Sequence, residues 1–153
     1  MIGRESKESN DLFYVCSLID YIARKTKNLR KDVVNALGKE NIKQLYDLAD
    51  VYHSDNINKV SDHLINEVNL TEGSFDNVGD CSYRIPTHWD IGKVYKRLIL
   101  GVAKTKEIDL IEALIEVYNS FITEKIDDYN SNFYYEYSAN ILISYLKGKI
   151  EAY

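Results

Sequence analysis

Apolar residues recur three and four positions apart along nearly all of this chain, and the pattern fails in one long stretch, residues 69–88. That spacing puts a single apolar stripe on a helix, whereas strand side chains alternate every second residue. The expected fold is all-α: an irregular bundle of six to seven helices with one long central loop at about 69–88. Long loops without periodicity are uncommon in compact domains and tend to carry binding or catalytic groups. This one holds the only proline, Pro86, with Cys81 and His88, and it runs into the only tryptophan, Trp89.

The first helix is expected from residue 9 or 10 to 25, with Leu12, Val15, Cys16, Ile19, Ile22 and Ala23 inward. The basic stretch through Asn28 ends it. A short helix over 30–37 follows, with Gly38 where a left-handed cap is wanted. A third helix spans 39–53, and Ser54 or Asp55 caps a fourth that turns Ile57, Val60, Leu64 and Val68 inward. After the loop, Thr87 and Asp90 have the spacing of a capping box. The helix behind them carries Ile91, Val94, Tyr95, Leu98 and Val102 and is expected to break between 101 and 106. The stretch 107–126 reads as one helix, apolar over more than one face and therefore central. A last helix starts near Ser131 and ends near Gly148. At 153 residues the chain reads as a single domain, residues 1–153. It has a four-helix N-terminal half (about 9–68), a loop (69–86) and a three-helix C-terminal half (about 87–148).

Composition narrows the function classes. Hydrophobic residues make up 45%, too many for a disordered chain, yet no apolar run is long enough to span a bilayer. The polar N-terminus lacks the apolar core of a signal peptide, so a cytoplasmic location is expected. A net charge of −5 argues against a general nucleic-acid binder. The charge is uneven, however. Residues 24–31 hold Arg24, Lys25, Lys27, Arg30 and Lys31 without an acid, which suits a solvated loop or a patch for an acidic partner. The basic segment 90–106 and the acidic segment 107–128 suit two antiparallel neighbours with complementary faces. Most of the thirteen tyrosines fall beside aliphatics at helical positions, where a ring packs inward and its hydroxyl reaches a polar partner.

No metal site is expected, because His53, His63 and His88 have no ligand spacing and there is no Cys-x-x-Cys pair. No cofactor is expected either: Gly92-Lys93 lacks the upstream glycine and the following hydroxyl of a phosphate-binding loop. The one cluster that could act as a nucleophile site is Cys81, Arg84 and His88. A cation can activate the thiol, and the imidazole can serve as base.

The run from Phe13 to Tyr21, then Asp32-Val33-Val34, then Leu45 to His53, resembles a family of small uncharacterised helical proteins from low-GC bacteria. The resemblance covers residues 12–68. Members of that family are encoded beside ADP-ribosyltransferase-like proteins, in arrangements like toxin–antitoxin operons. It implies a small bacterial accessory protein, antitoxin-like or regulatory, that acts by binding a protein encoded nearby. The leading expectation is thus a non-enzymatic helical interaction module that binds through Tyr83, Arg84, His88 and Trp89. The alternative is a small cysteine/histidine-dependent hydrolase or transferase with its site in the 80–90 loop, built on Cys81, His88 and Arg84.

Overall fold

The computed structural model describes residues 6–150. Among them are eight α-helices and no strand: α1 (Lys7–Thr26), α2 (Arg30–Asp47), α3 (Ala49–His53), α4 (Ile57–Glu67), α5 (His88–Lys106), α6 (Leu110–Tyr118), α7 (Ile122–Ile126) and α8 (Ser138–Lys147). Two 3-10 turns, Tyr129–Ser131 and Phe133–Tyr135, lie between α7 and α8. The all-α expectation holds, with eight helices among the described residues against the expected six or seven: α1, α2 and α5 run longer than expected, and the stretch 107–126 divides in two. No described helix is long and apolar enough to cross a membrane.

The spine is the pair α1 and α5. Helix α2 packs on α1, α6 packs on both α5 and α2, α3 and α4 flank α1, and α8 flanks α5. One hydrophobic core therefore draws on both halves of the sequence. The most deeply buried helix is α1, with Leu12, Val15, Cys16, Leu18, Ile19 and Ala23 all fully buried, while α6, the first part of the 107–126 stretch, is packed on two sides by α5 and α2. Helices α1 and α5 meet closely because Gly92 has no side chain. A Cβ there would lie 2.1 Å from Ser17 Oγ and 2.9 Å from Ser17 Cα.

The helix ends show where local chemistry overrode periodicity. Thr87 and Asp90 form the expected capping box, each side chain bonded to the other's backbone N–H. Asn56, not Ser54 or Asp55, caps α4. Gly38 has positive φ (79°) but an extended ψ of 164°, so it joins two helical stretches at a kink instead of capping the first. Helix α5 runs through Gly101, whose missing Cβ lets Leu142 of α8 approach. The stretch 107–126 splits into α6 and α7. There Asn119 Nδ2 donates to Ile115 O, Ser120 Oγ to Val117 O and Thr123 Oγ1 to Ser120 O, side-chain bonds that compete with the helix ladder. Ser131 bonds within a 3-10 turn and does not start the last helix, which begins at Ser138 and ends at the left-handed Gly148.

Candidate functional site

The 68–87 connection is stitched down along its first half. Gly73 N donates to Thr26 O (2.8 Å) and Phe75 N to Lys27 O (2.9 Å), while Asn28 Nδ2 donates to Thr71 O (2.9 Å). On the far side Asn77 Nδ2 donates to Asp127 O (3.0 Å). Asn130 then exchanges two bonds with the loop: its Nδ2 donates to Asp80 O and its Oδ1 accepts from Ser82 N. These ties turn the segment into one wall of a cavity of about 360 Å³. Its other walls are the start of α2 (Leu29, Arg30, Lys31) and the α7 region from Asn119 to Asn130.

Against this cavity lies a buried charge cluster. Asp20, in the middle of α1, accepts Arg30 Nε at 2.7 Å on one carboxylate oxygen and Arg24 Nε at 2.6 Å on the other. Arg24 Nη2 and Arg30 Nη2 both donate to the Tyr129 hydroxyl, each at 3.1 Å. Asp20, Arg30 and Tyr129 are almost wholly buried. Burial alone would lower the Arg30 pKa, but the negative charge of Asp20, and behind it Asp127 and Tyr129, outweighs that cost and holds the guanidinium protonated. Its Nη1 is buried and has no hydrogen-bond partner. Phe75 lies over the same group, with Cζ 5.8 Å from the ring centroid.

Asp127, next in the cluster, takes the Tyr95 hydroxyl on Oδ1 at 2.8 Å. Burial pushes its carboxyl up to about 7, against the pull of Arg30 toward ionisation. Tyr95 in turn stacks on Tyr118, with centroids 4.4 Å apart. Helices α1, α2 and α5 and the residues just after α7 thus bring two neighbouring polar clusters into an otherwise apolar core, coupled through the charge of Arg30.

The residues singled out from the sequence lie elsewhere, and they divide into three groups. Tyr83 and Arg84 are exposed and line an open groove of about 510 Å³ between the end of the loop, the outer face of α5 and the second 3-10 turn. His88 and Trp89 occupy the first turn of α5 and pack on α1. His88 meets Tyr21 edge-on at 5.1 Å, and Trp89 lies 5.6 Å from Phe13. His88 Nε2 is buried without a partner, and burial, reinforced by Arg24, lowers the imidazole pKa. Cys81 is half-buried, and its Sγ donates to Tyr83 O at 3.5 Å. No hydrogen bond joins Cys81 to His88 or Arg84 among the described residues, so the structure does not assemble these three into a nucleophile–base pair. Cys16 is fully buried, which pushes its thiol up to about 12.

Sequence reasoning missed Asp20, Asp127 and Tyr129, and it placed Arg24 and Arg30 in a solvated basic stretch, whereas both are paired with Asp20 at the ends of α1 and α2 and Arg30 is buried. A signal was available for Asp20. It sits next to Ile19 on the buried side of α1, four residues before Arg24, an i,i+4 pair placed where solvent is scarce. Comparison with protein-family models, curated proteins and solved structures gives no match to this chain.

Proposed function

We propose that this chain is a helical protein-interaction module that receives an acidic, extended segment of a partner protein in the groove beside α5. One observation carries the reading: Tyr83 and Tyr135, 64% and 80% exposed, line the same open groove as Arg84, Lys93 and Arg97. None of these three cations makes a salt bridge among the described residues. Of the two acids in the groove, Asp90 is already spent on the capping box. Aromatic and arginine side chains are the types that most often dominate protein interfaces. Tyrosine rings, with two rotatable side-chain bonds, lose little freedom on binding, and Tyr135 sits on the second 3-10 turn.

The family resemblance of residues 12–68 makes the product of a neighbouring gene the partner to try first, in an antitoxin-like or regulatory pairing inside a bacterial cytoplasm. The test is co-expression of the chain with the products of its adjacent genes, followed by purification on a tag. A partner should co-purify with the parent protein. The pair Tyr135→Ala and Arg84→Glu should each lower its affinity about tenfold or more, as loss of an interface anchor does. If no neighbour co-purifies, or if both variants retain full binding, the interaction reading fails.

A further inference from the structure

We propose that the cavity between the loop, the start of α2 and the α7 region binds a small zwitterion of the amino-acid type, its carboxylate at the start of α2 and its ammonium on the α7 side. Three observations meet at the α2 wall. The first is the buried, unpartnered Nη1 of Arg30, in a guanidinium held between two other lining residues, Phe75 and Tyr129. A buried donor left without an acceptor is costly, and an anion is the acceptor a guanidinium fits best. The second is Leu29, which makes no side-chain cap at the N-terminus of α2, whose first helical stretch runs to the kink at Gly38. The first N–H groups of a helix have no partner within it and carry partial positive charge. The third is the exposed Lys31 in the same wall.

The opposite chemistry comes from α7 and the residue pair behind it. Glu124 and Asp128 are exposed carboxylates lining the cavity, and neither is in a salt bridge among the described residues. A bare anion would meet these carboxylates as well as the basic wall, and a bare cation would meet Arg30 and Lys31. A ligand bearing both charges satisfies both walls. Phe75 and Phe121 offer apolar surface to its remaining atoms. About 360 Å³ falls at the small end of ligand sites, in keeping with a metabolite and too small for a folded partner.

The experiment is a thermal-shift screen of the full chain with each of the twenty common amino acids. Inorganic phosphate and putrescine serve as single-charge probes. At least one amino acid should raise the melting temperature by about 3–6 °C at saturating concentration, and phosphate and putrescine should each do far less. Lys31→Ala and Asp128→Asn should each weaken that ligand roughly tenfold, the loss of one charge-assisted hydrogen bond. Both side chains are exposed, so the unliganded melting temperature should not move. The proposal is overturned if none of the twenty acts at about 10 mM, a concentration far above ordinary metabolite affinities. It is equally overturned if phosphate or putrescine alone acts as strongly, or if the shift survives either substitution.

Discussion

The two halves of the long loop face opposite tasks. Residues 71–80 are bonded to the α1–α2 junction on one side and to Asp127 and Asn130 on the other, closing a cavity over buried charges. Residues 83–85 leave Tyr83, Arg84 and Ile85 in solvent beside an open groove. The difference lies in where each backbone finds its partners. The first half satisfies its polar groups on neighbouring elements and becomes part of the fold. In the second half the side chains remain available to another molecule. One connection can serve as scaffold and as surface, and the boundary between the two roles falls near Cys81.

That contrast can be broken most forcefully at Arg30. Arg30→Met should destabilise the protein by about 3–5 kcal/mol in urea unfolding, since it removes one partner of a buried ion pair and leaves Asp20 to Arg24 alone. A loss under about 1 kcal/mol would mean that the enclosed region is no more committed than the groove.

Asp127 gives the next largest effect, and its sign is specific. Its folded-state carboxyl titrates near 7 against 3.8 when unfolded, so the folded chain holds the proton to higher pH. The associated stability is fully present below about pH 4 and is lost as pH rises through 7, by on the order of 2–4 kcal/mol. The groups facing it are Arg30, Asp20, Tyr95 and Arg24. Asp127→Asn should flatten this part of the melting-temperature profile between pH 5 and 8, and an unchanged slope would place the titration elsewhere.

Trp89 sharpens the comparison from between the two regions. At 37% exposure and packed on Phe13, its replacement by alanine should cost about 1–2 kcal/mol in the same melts, below the 3–5 of a fully buried ring. A cost of 3 or more would make it a core residue. Arg84→Ala should have the smallest effect, within about 0.5 kcal/mol on stability, because the side chain is exposed and outside any salt bridge among the described residues. Its expected consequence is on partner affinity alone.

Much of the architecture was legible because burial leaves a periodic trace. The stripe from Leu12 to Ala23, the Thr87–Asp90 cap and the loop at 69–88 all appear in the structure. The breaks were not legible where short polar side chains redirected the backbone, as at Asn119 and Ser120, or where a glycine served packing, as Gly101 does under Leu142. Tyr83 and Arg84 could be picked out by residue type in an aperiodic segment. His88 and Trp89, only a few residues later, belong to a different surface. The helix begins between the two pairs, and its first turn faces α1. Apart from the i,i+4 pair Asp20 and Arg24, the buried cluster escaped because its bonded partners are 10 to 105 residues apart in the chain, and periodicity carries no information about such pairs.

Those separations bear on how the molecule comes into being. The N-terminal half brings two arginines to a single aspartate, and the phenol that takes one further donor from each arrives 99 and 105 residues later. A nascent chain that has reached α4 therefore holds two guanidinium donors without their acceptor at the place where its own core should close. Contacts of such long range are made late, after the entropy of a long loop has been spent. The C-terminal half thus supplies the hydrogen-bond acceptor that completes the cluster of the first. Isolated residues 6–68 should remain loosely packed until a chain containing Tyr129 is added in trans.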